Sequence, residues 1–302
     1  MPQVWINGQF VEEAEANISI RDAGLLHGAG VFTTMRGYGG KVFRIQNHLE
    51  RLRASCEALF VPLQYKDEVL THAAVELLGR NVLTDARLRL TVTRGAVSQD
   101  PLHGMRVDPN VFLTAAALEP YPQEYYQKGL TVILLDEQKL NPYDLQAGHK
   151  TLNYLSRLNA LKSATQRGAG EALWFNVHNY LQSGSISNVF LVESGKLLTP
   201  PTAEDLRAPR ISQQTPYSKS NVLPGVTRNA VLEIAKSNNI DVDTTPIDVN
   251  RLLAADEVFL TNSIMGVMPV CRLERKAVGT EKPGPVTLKI SDAYAKLVEA
   301  TE

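Results

Sequence analysis

Apolar and polar residues alternate along the first forty-five positions in the manner of antiparallel strands. Gln3–Ile6 runs into Asn7-Gly8, a two-residue hairpin signal, and Gln9–Val11 continues beyond it. Val31–Arg36 and Lys41–Arg44 flank Gly39-Gly40 and predict a second hairpin. Between the two hairpins, Leu25–Gly30 carries Gly28 and Gly30, so the backbone there turns tightly or passes close to something. The period then lengthens. Gln46–Phe60 places Leu49, Leu52, Cys56 and Leu59 on one stripe, and Lys66–Leu78 is similarly amphipathic, which predicts two helices. Arg87–Thr93 alternates again as a half-buried strand, and Val111–Leu118 is a more continuously apolar one. Glu119–Glu124 breaks both periods and reads as a linker.

The second half predicts strand Leu130–Leu135, a helix from about Lys150 to Arg167, and strands Glu171–Phe175 and Asn188–Glu193. A helix from near Gly225, strand Glu257–Thr261 and a closing helix over Thr287–Val298 follow. Residues 200–222 are rich in Pro, Ser and Gln and read as a long exposed loop. Strands dominate each half and helices cover them, so the expected class is α+β, with no repeat of fixed period. At roughly 150 residues per domain, the 302-residue chain predicts two, over 1–118 and 129–302, joined by a linker at 119–128.

Composition narrows the function by exclusion. Lys plus Arg number 31 against 32 Asp plus Glu, a net charge of −1 that offers no field for nucleic acid or an anionic membrane. The longest apolar runs fall short of the roughly 20 residues a membrane span needs, and no leader-like segment opens the chain. Cys56 and Cys271 are the two cysteines, far apart and without metal-spaced neighbours, which suits a reducing cytoplasm. Small molecules are the expected partners.

Three segments carry chemistry. In Gly148-His149-Lys150-Thr151-Leu152-Asn153-Tyr154, the lysine sits where a loop is expected to become a helix. A helix N-terminus and burial both favour the neutral amine that Schiff-base formation requires. Tyr154, four residues on, shares the expected helix face; the alternative is an ordinary surface lysine. Leu223-Pro224-Gly225-Val226-Thr227-Arg228 opens a helix with free N–H groups and a hydroxyl, an anion site or a plain helix start. Asp256–Ser263 is a strand ending in Thr261, Asn262 and Ser263, suited to phosphate oxygens or to a turn. Arg51, off the apolar stripe of its helix, reads alone as a solvated charge. Together these groups are the equipment for a covalently held phosphorylated aldehyde, pyridoxal 5′-phosphate.

At this point the chain resembles the class IV, fold-type IV aminotransferases, which include branched-chain and D-amino-acid aminotransferases, (R)-selective amine transaminases and aminodeoxychorismate lyase. The matching segments run in order through Arg21-Asp22, Gly28–Phe32, His48–Leu52, Lys150–Asn153, Ser187–Phe190, Leu223–Arg228 and Asp256–Phe259. The resemblance implies that Lys150 is the Schiff-base lysine and proton shuttle, and that Arg51 binds the cofactor phosphate. It implies that Val226 and Thr227 give N–H groups, and Thr227 its hydroxyl, to that phosphate. Ser263 resembles a further hydroxyl ligand with Asn262 beside it, and Tyr154 the residue near the phenolic oxygen. It further implies a homodimer, a cofactor held in the cleft between the domains, and an amino donor and a 2-oxo acid as partners.

Two departures stand out. Five residues before Asn188 the family carries a glutamate for the pyridine nitrogen, and here that position is Ser183. A neutral hydroxyl leaves the nitrogen largely unprotonated and weakens the electron sink. Thr33-Thr34 replaces the Phe-Glu pattern of branched-chain enzymes and looks closer to the lyase branch. Phe32, Arg36 and Arg94 are the substrate-side candidates, with Arg106 as a further arginine. The expected activity is amino transfer between an amino acid or amine and a 2-oxo acid. The alternatives are a lyase that releases pyruvate and a pyridoxal-phosphate-binding protein with reduced catalysis.

Overall fold

The computed structural model of the protein describes residues 1–100, 104–207 and 219–300, with the backbone alone for 97–100 and 104–107. Residues 208–218 of the expected 200–222 loop, and the side chain of Arg106, lie outside the described residues. The chain forms two units, one of residues 1–119, 149–154 and the stretch from Val298 on, the other of 120–148 and 155–297.

In the first unit, strands β1 (Gln3–Ile6), β2 (Gln9–Glu12), β3 (Gly30–Tyr38), β4 (Lys41–Val42), β5 (Ala86–Thr93) and β8 (Val111–Ala117) form a sheet ordered β2-β1-β8-β5-β3-β4. Strands β6 (Ala96–Asp100) and β7 (Gly104–Asp108) pair separately. Asn7 and Gly8 both take positive φ, 48° and 92°, as the tight β1–β2 turn requires. Helices Ile45–Ala58 and Asp67–Arg80 cover one face of the six-stranded sheet, where Leu49, Leu52 and Leu77 pack with Val31, Met35, Leu88 and Leu90. The buried stripe of the first helix is the one its periodicity predicts. Asp22, fully buried, ties three segments together by accepting from Gly24 N, Thr93 Oγ1 and Asn110 Nδ2.

The second unit holds β9 (Leu130–Leu140), β10 (Glu171–Asn176), β11 (Leu181–Gly184), β12 (Asn188–Glu193), β13 (Lys196–Thr199), β14 (Val242–Thr244), β15 (Glu257–Asn262), β16 (Gly266–Leu273) and β17 (Lys276–Ala277). They make a nine-stranded sheet ordered β11-β10-β9-β16-β15-β12-β13-β14, with β17 on β16. Parallel pairs occur at β9–β10, β9–β16 and β13–β14. The other neighbours are antiparallel, and the α+β class holds. Helix Leu155–Gln166 packs Ala160 and Ala164 against Ile133, Ala172 and Trp174. Helix Val226–Ser237 buries Val226, Val231 and Ala235.

The sequence pattern under-reads short strands such as β11, β13 and β14, each three or four residues long, where alternation has too few positions to register. The helix expected from Lys150 begins only at Leu155. Residues 150–152 instead extend along β3: Phe32 N donates to Lys150 O at 2.9 Å, Leu152 N donates to Gly30 O at 2.9 Å, and Val31 bridges Thr151. Those sheet bonds occupy the backbone groups a helical turn would need. The segment can lie this close because Gly30 lacks a side chain; a Cβ there would meet Val92 O at 2.6 Å and Leu152 Cδ1 at 2.7 Å.

Candidate active site

In the first unit, β3 presents Phe32 to the segment that carries Lys150. The Lys150 ammonium lies 4.6 Å from the Phe32 ring centroid and donates to Tyr154 OH at 3.2 Å. Phe32 and Tyr154 meet edge to face at 5.4 Å. Lysine and tyrosine meet through an extended segment, not along the shared helix face that the sequence reading expects. The helix-terminus argument for the lysine does not apply in this geometry.

Thr33 points the other way from β3, because successive strand residues face opposite sides. It is fully buried, and its Oγ1 accepts from Arg51 Nη2 at 2.9 Å and lies 2.8 Å from His48 Nδ1. Burial, then the charges of Arg51 and Lys150, hold His48 well below its ordinary pKa, so the imidazole is neutral. The Thr33 hydroxyl thus links the neutral His48 ring to the Arg51 guanidinium. Burial pushes the Arg51 guanidinium down to about 10. A cation destabilised by desolvation is one that an anion would stabilise. His149, beside the lysine, sits 3.0 Å from Ser55 Oγ and is also lowered by burial.

Arg89, on β5, is absent from the sequence reading. Its guanidinium stacks 3.6 Å from the Phe32 centroid, and its Nε donates to Thr91 Oγ1 at 3.2 Å. Burial and the neighbouring Arg87 lower its pKa, and Tyr154 raises it. The alternation of Arg87, Arg89 and Thr91 with buried Leu88, Leu90 and Val92 is the signal that places it on this face. Arg36 is committed elsewhere: it pairs with Asp85 at 3.3 Å and stacks on Tyr38 at 4.2 Å. Arg94 follows β5, where its N–H donates to Ala29 O at 2.8 Å.

The second unit holds the anion-binding candidates. Gly225 is the N-cap of helix Val226–Ser237 and no side chain caps that end, so the first-turn N–H groups lack intrahelical acceptors. Val226 and Thr227 are both buried there. Asn188 Nδ2 donates to Leu223 O at 2.9 Å, while its Oδ1 fills the space a Gly225 Cβ would take, at 2.0 Å. Arg228 next in line is buried and paired with Asp205 at 2.7 Å. Thr261 Oγ1, at the end of β15, is buried and has no hydrogen-bond partner among the described residues. Ser263 follows, half-buried in a turn. Asn262 spends its amide on structure: Oδ1 accepts from Ile264 N and Met265 N at 2.9 and 2.8 Å, and Nδ2 donates to Ile186 O at 3.3 Å.

Ser183 lies on β11 opposite Trp174 and is buried. Arg157, also absent from the sequence reading, reaches it from helix Leu155–Gln166. Its Nη1 sits 3.5 Å from Ser183 Oγ and donates to Gly184 O and Ser185 O, both at 3.0 Å. No spacing rule links residue 157 to 183, so only the fold brings the pair together. Glu171 holds the same loop from the other side, accepting from Ala172 N, Ser185 N, Ile186 N and Ser187 Oγ at 2.9–3.1 Å.

In the first unit a lysine against an aromatic hydroxyl suits an aldehyde and a desolvated arginine suits an anion; in the second, by itself, an uncapped helix start and a buried hydroxyl without a partner among the described residues suit phosphate oxygens. The mixed sheets are those of the fold-type IV enzymes of the pyridoxal-phosphate class, as the likeness to solved structures shows. The family described as amino-transferase class IV matches residues 30–273. A putative branched-chain-amino-acid aminotransferase of Methanocaldococcus jannaschii is 30% identical over 294 residues, covering 97% of this chain and 95% of the relative. A D-alanine aminotransferase of Bacillus licheniformis is 27% identical over 96% of this chain and 95% of its own. The Escherichia coli branched-chain amino acid aminotransferase structure superimposes with a TM-score of 0.86 at 27% identity, over 98% of this chain and 94% of that one. The T.th. branched-chain amino acid aminotransferase, solved with pyridoxamine 5′-phosphate, gives 0.86 at 26% identity, over 99% and 95%. This chain belongs to the class IV aminotransferases, pyridoxal 5′-phosphate enzymes that move an amino group between an amino acid and a 2-oxo acid. No helix among the described residues is long and apolar enough to cross a membrane.

Proposed function

We propose that this aminotransferase holds its cofactor through Lys150 Nζ and works on amino acids whose carboxylate is met by Arg89. The observation that carries the reading is the Lys150–Tyr154–Phe32 cluster, with the Arg89 guanidinium stacked on the same Phe32 ring. Bound pyridoxal phosphate supplies an aldehyde for the amino group and a ring that draws electrons from the α-carbon. Arg51, the N–H groups of Val226 and Thr227, and the hydroxyls of Thr227 and Ser263 bind its phosphate, and Asn262 shapes the turn that carries Ser263. Tyr154 orients the lysine and the cofactor's phenolic oxygen. Ser183 faces the ring nitrogen as a neutral partner. Lys150 Nζ, beside Tyr154 OH and the Phe32 ring, would be the group that takes and holds the α-proton of a bound amino acid. His48 stays neutral and holds Arg51 through Thr33. Family resemblance supports a homodimer, and two buried free cysteines suit a cytoplasmic location.

A panel of L- and D-amino acids and (R)-amines, each with a 2-oxo acid acceptor, tests this reading through the change in cofactor absorbance. Amino acids of one hand should convert the cofactor to its amine form, while amines lacking a carboxylate should react at least tenfold more slowly. Equal rates with simple amines would remove the Arg89 role. Pyruvate release from aminodeoxychorismate without an acceptor would favour the lyase reading, which rests on Thr33-Thr34 and Ser183.

A further inference from the structure

The loop after β11 is gripped by two opposite charges. Arg157 donates to its carbonyl side at Gly184 and Ser185, and Glu171 accepts from its N–H side at Ser185 and Ile186. The two charges do not face Ser183 equally. A Cβ on Gly184 would meet Glu171 Oε2 at 2.8 Å, so the carboxylate lies on the Gly184 face of the strand. Ser183, one residue earlier, turns its hydroxyl to the opposite face, where Arg157 Nη1 lies at 3.5 Å. Glu171 is further spent on four donors, and burial raises its pKa despite them. Arg157 and Glu171 are the charged groups bonded to this loop among the described residues, and only the cation is on the serine's side.

We propose that Arg157 is an electrostatic positioning residue that keeps the cofactor's ring nitrogen unprotonated through Ser183. A cation one hydroxyl away from a basic nitrogen raises the free energy of its protonated form. The serine alone merely withholds a counter-charge; serine with arginine opposes protonation. The same pair limits what a carboxylate at 183 achieves, because the new acid would pair with Arg157 as well as with the ring. This inference rests on the placement of Ser183 at the ring nitrogen given above.

The test is the 15N shift of resting holoenzyme reconstituted with pyridoxal phosphate labelled at the ring nitrogen, followed across about pH 6 to 9. Neutral nitrogen is expected in the native protein and in Arg157→Lys, which keeps the charge. Arg157→Gln, which keeps a donor for the loop, should raise the nitrogen's apparent pKa by about one unit, a tenfold change in protonation at a given pH. Ser183→Glu alone should protonate the ring in part, and Ser183→Glu with Arg157→Gln fully. If Ser183→Glu protonates the ring completely and Arg157→Gln adds nothing, the role of Arg157 is overturned while the placement of Ser183 stands. If no variant moves the shift, the placement of Ser183 fails and the inference with it.

Discussion

One hydroxyl, Thr33 Oγ1, serves both the Arg51 guanidinium and the His48 imidazole, and this sharing makes the arginine's position depend on a strand residue. Loss of a charge-assisted phosphate contact typically costs about 1.5–3 kcal/mol, so Arg51→Ala should weaken cofactor binding roughly 10- to 100-fold in equilibrium dialysis. Lys150 should still bond the cofactor at high concentration. The neutral state of His48 has a stability consequence with a definite sign. The unfolded chain takes up a proton as pH falls through the ordinary value of 6.5, whereas the folded chain does not until lower pH. Stability should therefore be flat above pH 6.5 and fall below it, with His149 adding in the same direction. Urea titrations of His48→Gln between about pH 5 and 8 should show a shallower fall; an unchanged slope would mean that His48 is protonated in the fold. Helix periodicity marks Arg51 only as a charge off the apolar stripe, and its phosphate role comes from the resemblance alone. Its partner is Thr33, a strand residue 18 positions away, and helix periodicity carries no information about such a contact.

At the level of elements, the Lys150 segment is held by sheet bonds to β3, and these depend on Gly30. Gly30→Ala sets a Cβ 2.6 Å from a backbone oxygen of Val92, an atom that cannot swing away as a flexible side chain would. The variant should lose cofactor linkage and several degrees of Tm together, whereas Gly79→Ala, with open space around it and an ordinary helical backbone, should keep both. Retention of the visible cofactor band in Gly30→Ala would show that the lysine does not need this strand. The long amphipathic helices and the Asn7-Gly8 hairpin are legible in the sequence because their signals are local. The start of the helix after Lys150 is not, because residues 150–152 trade a helical turn for pairing with a strand roughly 120 positions earlier. Gly28 and Gly30, flagged as turn or close approach, are one of each: Gly28 closes a short helix at φ 66°, and Gly30 makes room.

For the whole molecule, ligand binding and stability are linked, since a cofactor that binds only the folded chain stabilises it by RT ln(1 + [L]/Kd). At a hundredfold excess over Kd this amounts to about 2.7 kcal/mol, or a Tm rise of several degrees in a calorimetric scan. Arg51→Ala should shrink that rise at fixed cofactor concentration; an equal rise in both proteins would place the phosphate elsewhere. Burial pushes the Cys56 thiol up to about 12 and Cys271 up to about 11, so neither should react with a thiol reagent until the chain unfolds. The α+β class and the order of the motifs are legible because they are written along the chain. The chemistry of Ser183 is only half legible: the missing carboxylate shows in the sequence, and the arginine beside it appears only in the fold.

Every role proposed for the site turns on Lys150 being the residue bonded to the cofactor. Borohydride reduction of the holoenzyme followed by peptide mass mapping tests this directly. One phosphopyridoxyl adduct is expected, on Lys150, absent from Lys150→Ala along with the visible band. An adduct on another lysine of the native protein would contradict it.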